Sequence, residues 1–243
     1  GGYKSVFGAP PCFFVAVNDT LAAISSGLCA HFLTPDAKRA VLRLERYLAD
    51  HAIEVAVLPP SLLKVFHSRS KALRYVLSLG ERMTNCYSAD YTIVNGLGQT
   101  ELAGGICYKT VDRGYANTPI GRNVEGTEVA VVDDEGLPVA EGEEGEMVIT
   151  AGVTAPEYFR NEEATAELTR GGVIHTGDIV RRLPNGEYLF VQRKGWMLKI
   201  NGQRVEPGEV EEVARRMDGV GDVVVKGFTT ADHSRQYIVL YYI

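Results

Sequence analysis

The sequence has little of what would tie a chain to a metal, a membrane or a nucleic acid. Its four cysteines, Cys12, Cys29, Cys86 and Cys107, form no CxxC pair, and its five histidines lie far apart, so no zinc-type ligand spacing is present. No run of about 18 apolar residues appears, which argues against a membrane-spanning helix. No signal-peptide pattern is visible either, and a reducing cytoplasm is the expected setting. The 25 Lys and Arg are scattered and outnumbered by 31 Asp and Glu, giving a net charge of -6. Binding by counterion release needs clustered cations, so a broad nucleic-acid surface is not expected. Repeats and low-complexity tracts are also missing.

What is there suffices for a packed protein. With 243 residues, 45% apolar and 23% charged, the chain can bury a real core as one large domain, or as one and a fraction. Its first hundred or so residues alternate between helix and strand patterns. Thr34, Pro35 and Asp36 read as a helix start, after which Ala40, Val41, Leu44, Tyr47 and Leu48 fall on one helical face. Residues 53–58 form a short apolar run stopped by Pro59 and Pro60, Ser61 opens another helical stretch, and residues 74–79 and 91–94 read as strands. That order implies a largely parallel sheet with ligands at the carboxyl ends of its strands.

From about Thr118 the pattern changes to strand-like runs at residues 128–132, 146–150 and 188–192. They are punctuated by Asp134, Glu135 and Gly136 and by Leu183, Pro184, Asn185 and Gly186, of which Asn-Gly is a strong hairpin signal. This stretch predicts a smaller antiparallel, barrel-like unit. After Gly195, the residues Val210, Val213, Ala214 and Met217 predict an amphipathic helix, and residues 222–226 and 236–243 predict strands. The chain stops inside an apolar strand, so truncation is expected.

Three polar segments carry chemistry. In the first, Asn95, Gly96, Leu97, Gly98, Gln99, Thr100 and Glu101 combine glycines that admit a close backbone approach, a hydroxyl donor and a hard carboxylate suited to magnesium. A plain strand-to-helix turn is the alternative. In the second, Asp178 of Thr176-Gly177-Asp178 sits between apolar pairs, where its two acceptor oxygens match a ribose diol or a capped tight turn. Arg193 adds a charged donor to that region, or is an ordinary paired arginine. In the third, Lys199 and Arg204 lie in a glycine-containing loop ahead of the helix start at Pro207 and Gly208. A well-capped helix explains the acidic residues Glu209 and Glu211 but not the two cations.

In this order the segments resemble adenylate-forming enzymes, above all the amino-acid-activating adenylation domains of nonribosomal peptide synthetases. Residues 95–101 are similar to that family's Asn-x-Tyr-Gly-Pro-Thr-Glu segment, and Pro119, Ile120, Gly121 and Arg122 to its Pro-Ile-Gly-Arg core. Gly145 to Ile149, Thr176-Gly177-Asp178, Arg193 and residues 199–211 also fit, so the likeness covers essentially the chain from Pro11 onward. The resemblance implies an α/β fold: α/β layers to about residue 117 and a β-rich part over 118–194 complete the large core, followed by a truncated α+β lobe over 195–243. It implies ATP and Mg as cofactors, a small carboxylic acid as substrate, and an acyl-adenylate passed to the thiol of a peptidyl or acyl carrier protein within a larger synthetase.

Residue by residue, the resemblance implies that Gly96, Leu97 and Gly98 lie along the nucleotide, Thr100 contacts phosphate and Glu101 holds magnesium. Asp178 takes the ribose with Arg193 beside it, Gly195 is the hinge, and Lys199 belongs to the loop that swings in for thiol transfer. The acid pocket falls on Phe14, Val15, Asn18, Val57, Leu77, Leu79, Gly96, Gly104 and Gly105; for Val57, Leu77 and Leu79 ordinary sheet core is the alternative. Some positions depart from the family. Leu97 replaces an aromatic that stacks on adenine, Gly195 replaces a hinge Asp, and Phe14 falls where an Asp pairs with a substrate ammonium. A buried ammonium without that carboxylate is costly, so an uncharged keto, hydroxy, aryl or fatty acid is expected. The family's upstream loop ending in lysine and its C-terminal lysine are not in the chain, which therefore reads as an excised piece, inactive alone. The competing expectation is a catalytically silent domain kept as a structural or docking module.

Overall fold

The computed structural model describes residues 3–9, 13–34, 37, 40–68, 70–152, 157–194, 198–200, 203–205, 207–217, 219–220, 223–230 and 235–243. Its first half runs β1 (Lys4–Phe7), α1 (Phe14–Ser26), β2 (Cys29–Phe32), α2 (Val41–Asp50), β3 (Val55–Val57), α3 (Pro60–Leu63), β4 (Tyr75–Ser78), β5 (Thr92–Gln99), β6 (Gly104–Thr110) and β7 (Arg122–Asn123). These strands form one sheet in the order β2-β1-β3-β4-β5-β6-β7. The β2-to-β5 part is parallel, and β6 and β7 add antiparallel strands at one edge. The short apolar runs of the sequence are thus the strands of a covered parallel sheet.

Local chemistry sets the helix ends. Gly27 closes α1 in the left-handed conformation at φ 64°, its N–H reaching the Ala23 and Ile24 carbonyls. The helical face expected over Ala40 to Leu48 is carried by α2, which begins at Val41 after an extended Ala40 (φ -151°). Thr34 Oγ1 accepts a hydrogen bond from the Ala37 N–H at 3.3 Å, the capping contact expected of a helix start there, and Ala37 is helical. Leu44 and Leu48 of α2 pack with Val6, Ile53, Ala56, Val76 and Ile93 in the first hydrophobic core.

The second half holds β8 (Glu128–Val132), β9 (Glu144–Ala151), α4 (Glu162–Leu168), β10 (Ile174–Arg182) and β11 (Tyr188–Arg193). They make an antiparallel sheet in the order β11-β10-β9-β8. The expected hairpin lies between β10 and β11: Gly186 adopts φ 78° and its N–H meets the Leu183 carbonyl at 2.8 Å. Met147, Ile149 and Val180 from this sheet pack with Ile106 and Cys107 from the first in a second core. Beyond it come β12 (Leu198–Ile200), β13 (Gln203–Val205), α5 (Pro207–Arg215), β14 (Val223–Thr229) and β15 (Gln236–Tyr242), arranged as two hairpins with α5 against β14. Mixed α/β layers, a smaller antiparallel sheet and an α+β tail agree with the fold class expected. Among the described residues no helix is long and apolar enough to cross a membrane.

Candidate active site

Strand β5 runs straight through the first motif. Asn95 is not in a turn: its buried side-chain amide donates to the Pro119 carbonyl at 2.9 Å, tying β5 to the Pro-Ile-Gly-Arg segment. Gly98 is required by a close approach, since a Cβ there would stand 2.7 Å from the Gly104 carbonyl oxygen. The chain then makes a single 3-10 turn over Thr100–Leu102 and reverses through Ala103, which takes the left-handed conformation at φ 50°. The strand expected over residues 91–94 is thus longer than its apolar run. The strand continues to Gln99, and the turn that presents Thr100 and Glu101 follows it.

Thr100 is exposed, while Glu101 is half-buried, with its Oε1 accepting a hydrogen bond from the Tyr158 hydroxyl at 2.8 Å. A crevice of about 370 Å³ opens beside this turn, lined by Glu101, Gly104, Gly105, Val124, Thr127 and Gly152 among others.

The Thr176-Gly177-Asp178 segment meets the same turn. Gln99 donates both hydrogens of its amide across the gap, to the Thr176 carbonyl at 2.7 Å and to Asp178 Oδ2 at 2.6 Å. Asp178 Oδ1 accepts from Arg193 Nη1 at 2.9 Å, across the register pair of β10 and β11. The Asp178 carboxylate is 1% exposed. The Nε of Arg193 is buried and has no partner among the described residues, a donor left over for a ligand oxygen.

Behind Gly177 lies a second buried carboxylate. Glu146 accepts from the Gly177 N–H at 3.0 Å, from His175 Nδ1 at 3.1 Å and from Lys194 Nζ at 3.2 Å. Burial alone would raise its pKa, but these donors outweigh it and hold the carboxyl below its ordinary value. Lys194 also pairs with Asp134 at 2.8 Å; that hydrogen bond, then the one to Glu146, pushes its pKa up.

The expected pocket positions divide. Phe14 and Val15 are half-buried on α1, and the tip of the Phe14 ring lies 3.9 Å from where a Cβ on Gly104 would be. Asn18 is exposed on the same helix, so its place in a closed pocket is corrected. Val57, Leu77 and Leu79 are half-buried, in contrast to Ala56 and Val76 on the opposite sheet face, both at 0% exposure. Leu97 is also corrected: its side chain belongs to the second core with Ile106 and Met147, and is not presented to a base. Lys199 stands in register with Arg204 in the β12–β13 hairpin, and Gly195 lies outside the described residues.

Sequence reasoning passed over Gln99, Tyr158 and Glu146. Gln99 carried one signal, because it stands where the resembling segment has a proline, which offers neither a side-chain donor nor an N–H. No local signal marks Tyr158, whose partner is 57 residues away.

The family model described as AMP-binding enzyme matches residues 3–159, and the chain belongs to that family. It is 28% identical over 218 residues to bacitracin synthase 1 of Bacillus licheniformis, covering 86% of this chain and 4% of that protein. Tyrocidine synthase 2 of Brevibacillus parabrevis is 28% identical over 245 residues, with 95% of this chain and 7% of that protein covered. Among solved structures, NpsA-ThdA, an artificially fused adenylation–PCP di-domain NRPS from Klebsiella oxytoca, superposes with a TM-score of 0.84 at 21% identity. That match covers 99% of this chain and 48% of the other, so the chain spans about half the length of that structure and a small part of the synthases.

Proposed function

We propose that the chain contributes to a site where a carboxylic acid attacks the α-phosphate of ATP, releasing pyrophosphate and leaving an acyl-adenylate for transfer to a carrier thiol. One observation carries this reading: the turn bearing Thr100 and Glu101 is joined through Gln99 to the pair Asp178 and Arg193, beside an open crevice. Catalysis of this kind is mainly positioning and charge stabilisation around phosphorus.

In this reading Thr100 donates to a phosphate oxygen, and Glu101, steadied by Tyr158, holds magnesium. Among the described residues no cluster of three or more metal-ligating side chains exists. One carboxylate suits an ion that arrives with the nucleotide's phosphates rather than a resident one. When bound, magnesium neutralises charge on those phosphates. Asp178 takes the ribose hydroxyls on the lone pairs that Gln99 and Arg193 leave, and Arg193 Nε adds a donor. Gly195 acts as the hinge between a core over 1–194 and a lobe over 195–243, and Lys199 travels with the lobe. The acid is uncharged, the protein works within a larger cytoplasmic synthetase, and a carrier protein is its partner.

Acid-dependent exchange of labelled pyrophosphate into ATP by the full-length protein tests this. Exchange with an uncharged acid is expected, and Asp178→Ala should abolish it. No exchange across a broad panel of keto, hydroxy, aryl and fatty acids would overturn the reading. One observation favours a second reading, a silent docking module: the Asp178 carboxylate is almost fully buried and both its oxygens are already bonded within the protein. That module would show no exchange and no protection by ATP with magnesium.

A further inference from the structure

Two of the glycines implied in the acid pocket are kept small by one neighbouring ring. Tyr108 pairs with Gly96 across β5 and β6, so their side-chain positions share a face of the sheet. A Cβ on Gly96 would lie 2.7 Å from the Tyr108 ring, and a Cβ on Gly105 would fall on its hydroxyl. The ring therefore occupies the volume that side chains at both positions would fill. Val94 precedes Gly96 by two residues and is in register with Leu77 and Val57, which places all of them on this half-buried face.

The polar end of that ring has no partner among the described residues. Among the described residues neither the Tyr108 hydroxyl nor the Asp19 carboxyl makes a hydrogen bond, although the Asp19 charge acts on Tyr108. Asp19 sits on α1, the helix that brings Phe14 to Gly104. Burial raises its carboxyl to about 6. Two half-buried polar groups left unpaired beside a small-residue surface are what a ligand's hydrogen-bonding group would satisfy.

We propose that Tyr108 is a specificity-determining residue of the acid pocket. Its ring over Gly96 and Gly105 shortens the pocket to admit a compact carboxylic acid, and its hydroxyl, together with Asp19, binds a hydroxyl group at the acid's far end. This rests on the reading that this sheet face receives the acid. A hydrophobic wall separates ligands weakly, whereas a site that must hydrogen-bond a hydroxyl rejects the analogue lacking it.

The test measures pyrophosphate exchange by the full-length protein with benzoate, 4-hydroxybenzoate and decanoate. The unsubstituted protein is expected to prefer 4-hydroxybenzoate over benzoate in kcat/KM by at least about tenfold. Tyr108→Phe should bring that ratio close to one, chiefly through KM, and Tyr108→Ala should admit decanoate. A ratio unchanged in Tyr108→Phe, with decanoate still excluded by Tyr108→Ala, would overturn the proposal while leaving acid activation intact. Absence of exchange with every acid would remove both. Thermal unfolding supplies a readout free of activity: Gly105→Ala should lower Tm in the unsubstituted protein and lower it by less when Tyr108→Ala is already present. Equal losses in the two backgrounds would show that the ring is not over Gly105.

Discussion

The carboxylates of β9 and β10 are buried and the carboxylate of α1 is half-buried, yet they are treated oppositely. Every oxygen of Glu146 and Asp178 has a donor, from Gly177, His175 and Lys194 for the first and from Arg193 and Gln99 for the second. Asp19 has none among the described residues, and burial raises its carboxyl to about 6. A carboxylate bonded at both oxygens holds parts together and keeps only its remaining lone pairs for a ligand, while an unbonded one has every acceptor open to something that arrives. The contrast separates the frame of the site from its receptive wall, and each half can be challenged.

The largest effect is expected from Asp178→Ala. It strands the Arg193 guanidinium and the Gln99 amide in a buried place, and removing one member of such a pair costs about 3–5 kcal/mol. Urea unfolding at pH 7 measures it, and a loss below about 1 kcal/mol would mean that the contact joins nothing. Glu146→Gln comes next, at about 1–3 kcal/mol for weakened charged hydrogen bonds. Because the folded pKa is depressed, the wild-type advantage is present above the ordinary value of 4.5 and is lost as pH falls through the folded value. A difference that grew on acidification would contradict the network.

Asp19→Asn should act with the opposite sign. The folded carboxyl binds its proton more tightly than the unfolded one, so wild-type stability falls as pH rises from 3.8 to about 6. The asparagine variant escapes that loss. Above about pH 6 it should be more stable by about 1–2 kcal/mol after solvent screening, with the gain gone below 3.8. Thermal unfolding across that pH range reads it directly. The smallest effect belongs to Arg46 and Asp50, an exposed pair one helical turn apart. A double-mutant cycle there should give about 0.3–0.5 kcal/mol, the background against which the buried carboxylates are judged.

The legible parts of the sequence were those fixed by near neighbours. The β10–β11 hairpin follows from Asn185 and Gly186, whose turn chemistry is local, and the parallel strands follow from short apolar runs between helical patterns. The polar motifs named Thr100, Glu101, Asp178 and Arg193 as residue types suited to a nucleotide. Their joint was hidden, since Gln99 and Asp178 are 79 residues apart and nothing in either segment encodes the other. Gly96 and Gly98 read as glycines that admit a close approach, but what approaches is this chain itself: the Tyr108 ring at the first and the Gly104 backbone at the second. Leu97 was judged by the aromatic it replaces, whereas its surroundings in the second core decide where it points.

The Gln99 amide has a mechanical meaning. With both of its hydrogens committed to β10, a slip of either sheet by one residue would strip the donor from a buried carbonyl and from one oxygen of a buried carboxylate at once. The amide thus adds a polar lock on register to the apolar core that the two sheets share. Sliding one sheet on the other would have to break that grip together with the backbone hydrogen bonds that Tyr188 exchanges with Ile120 and Gly121.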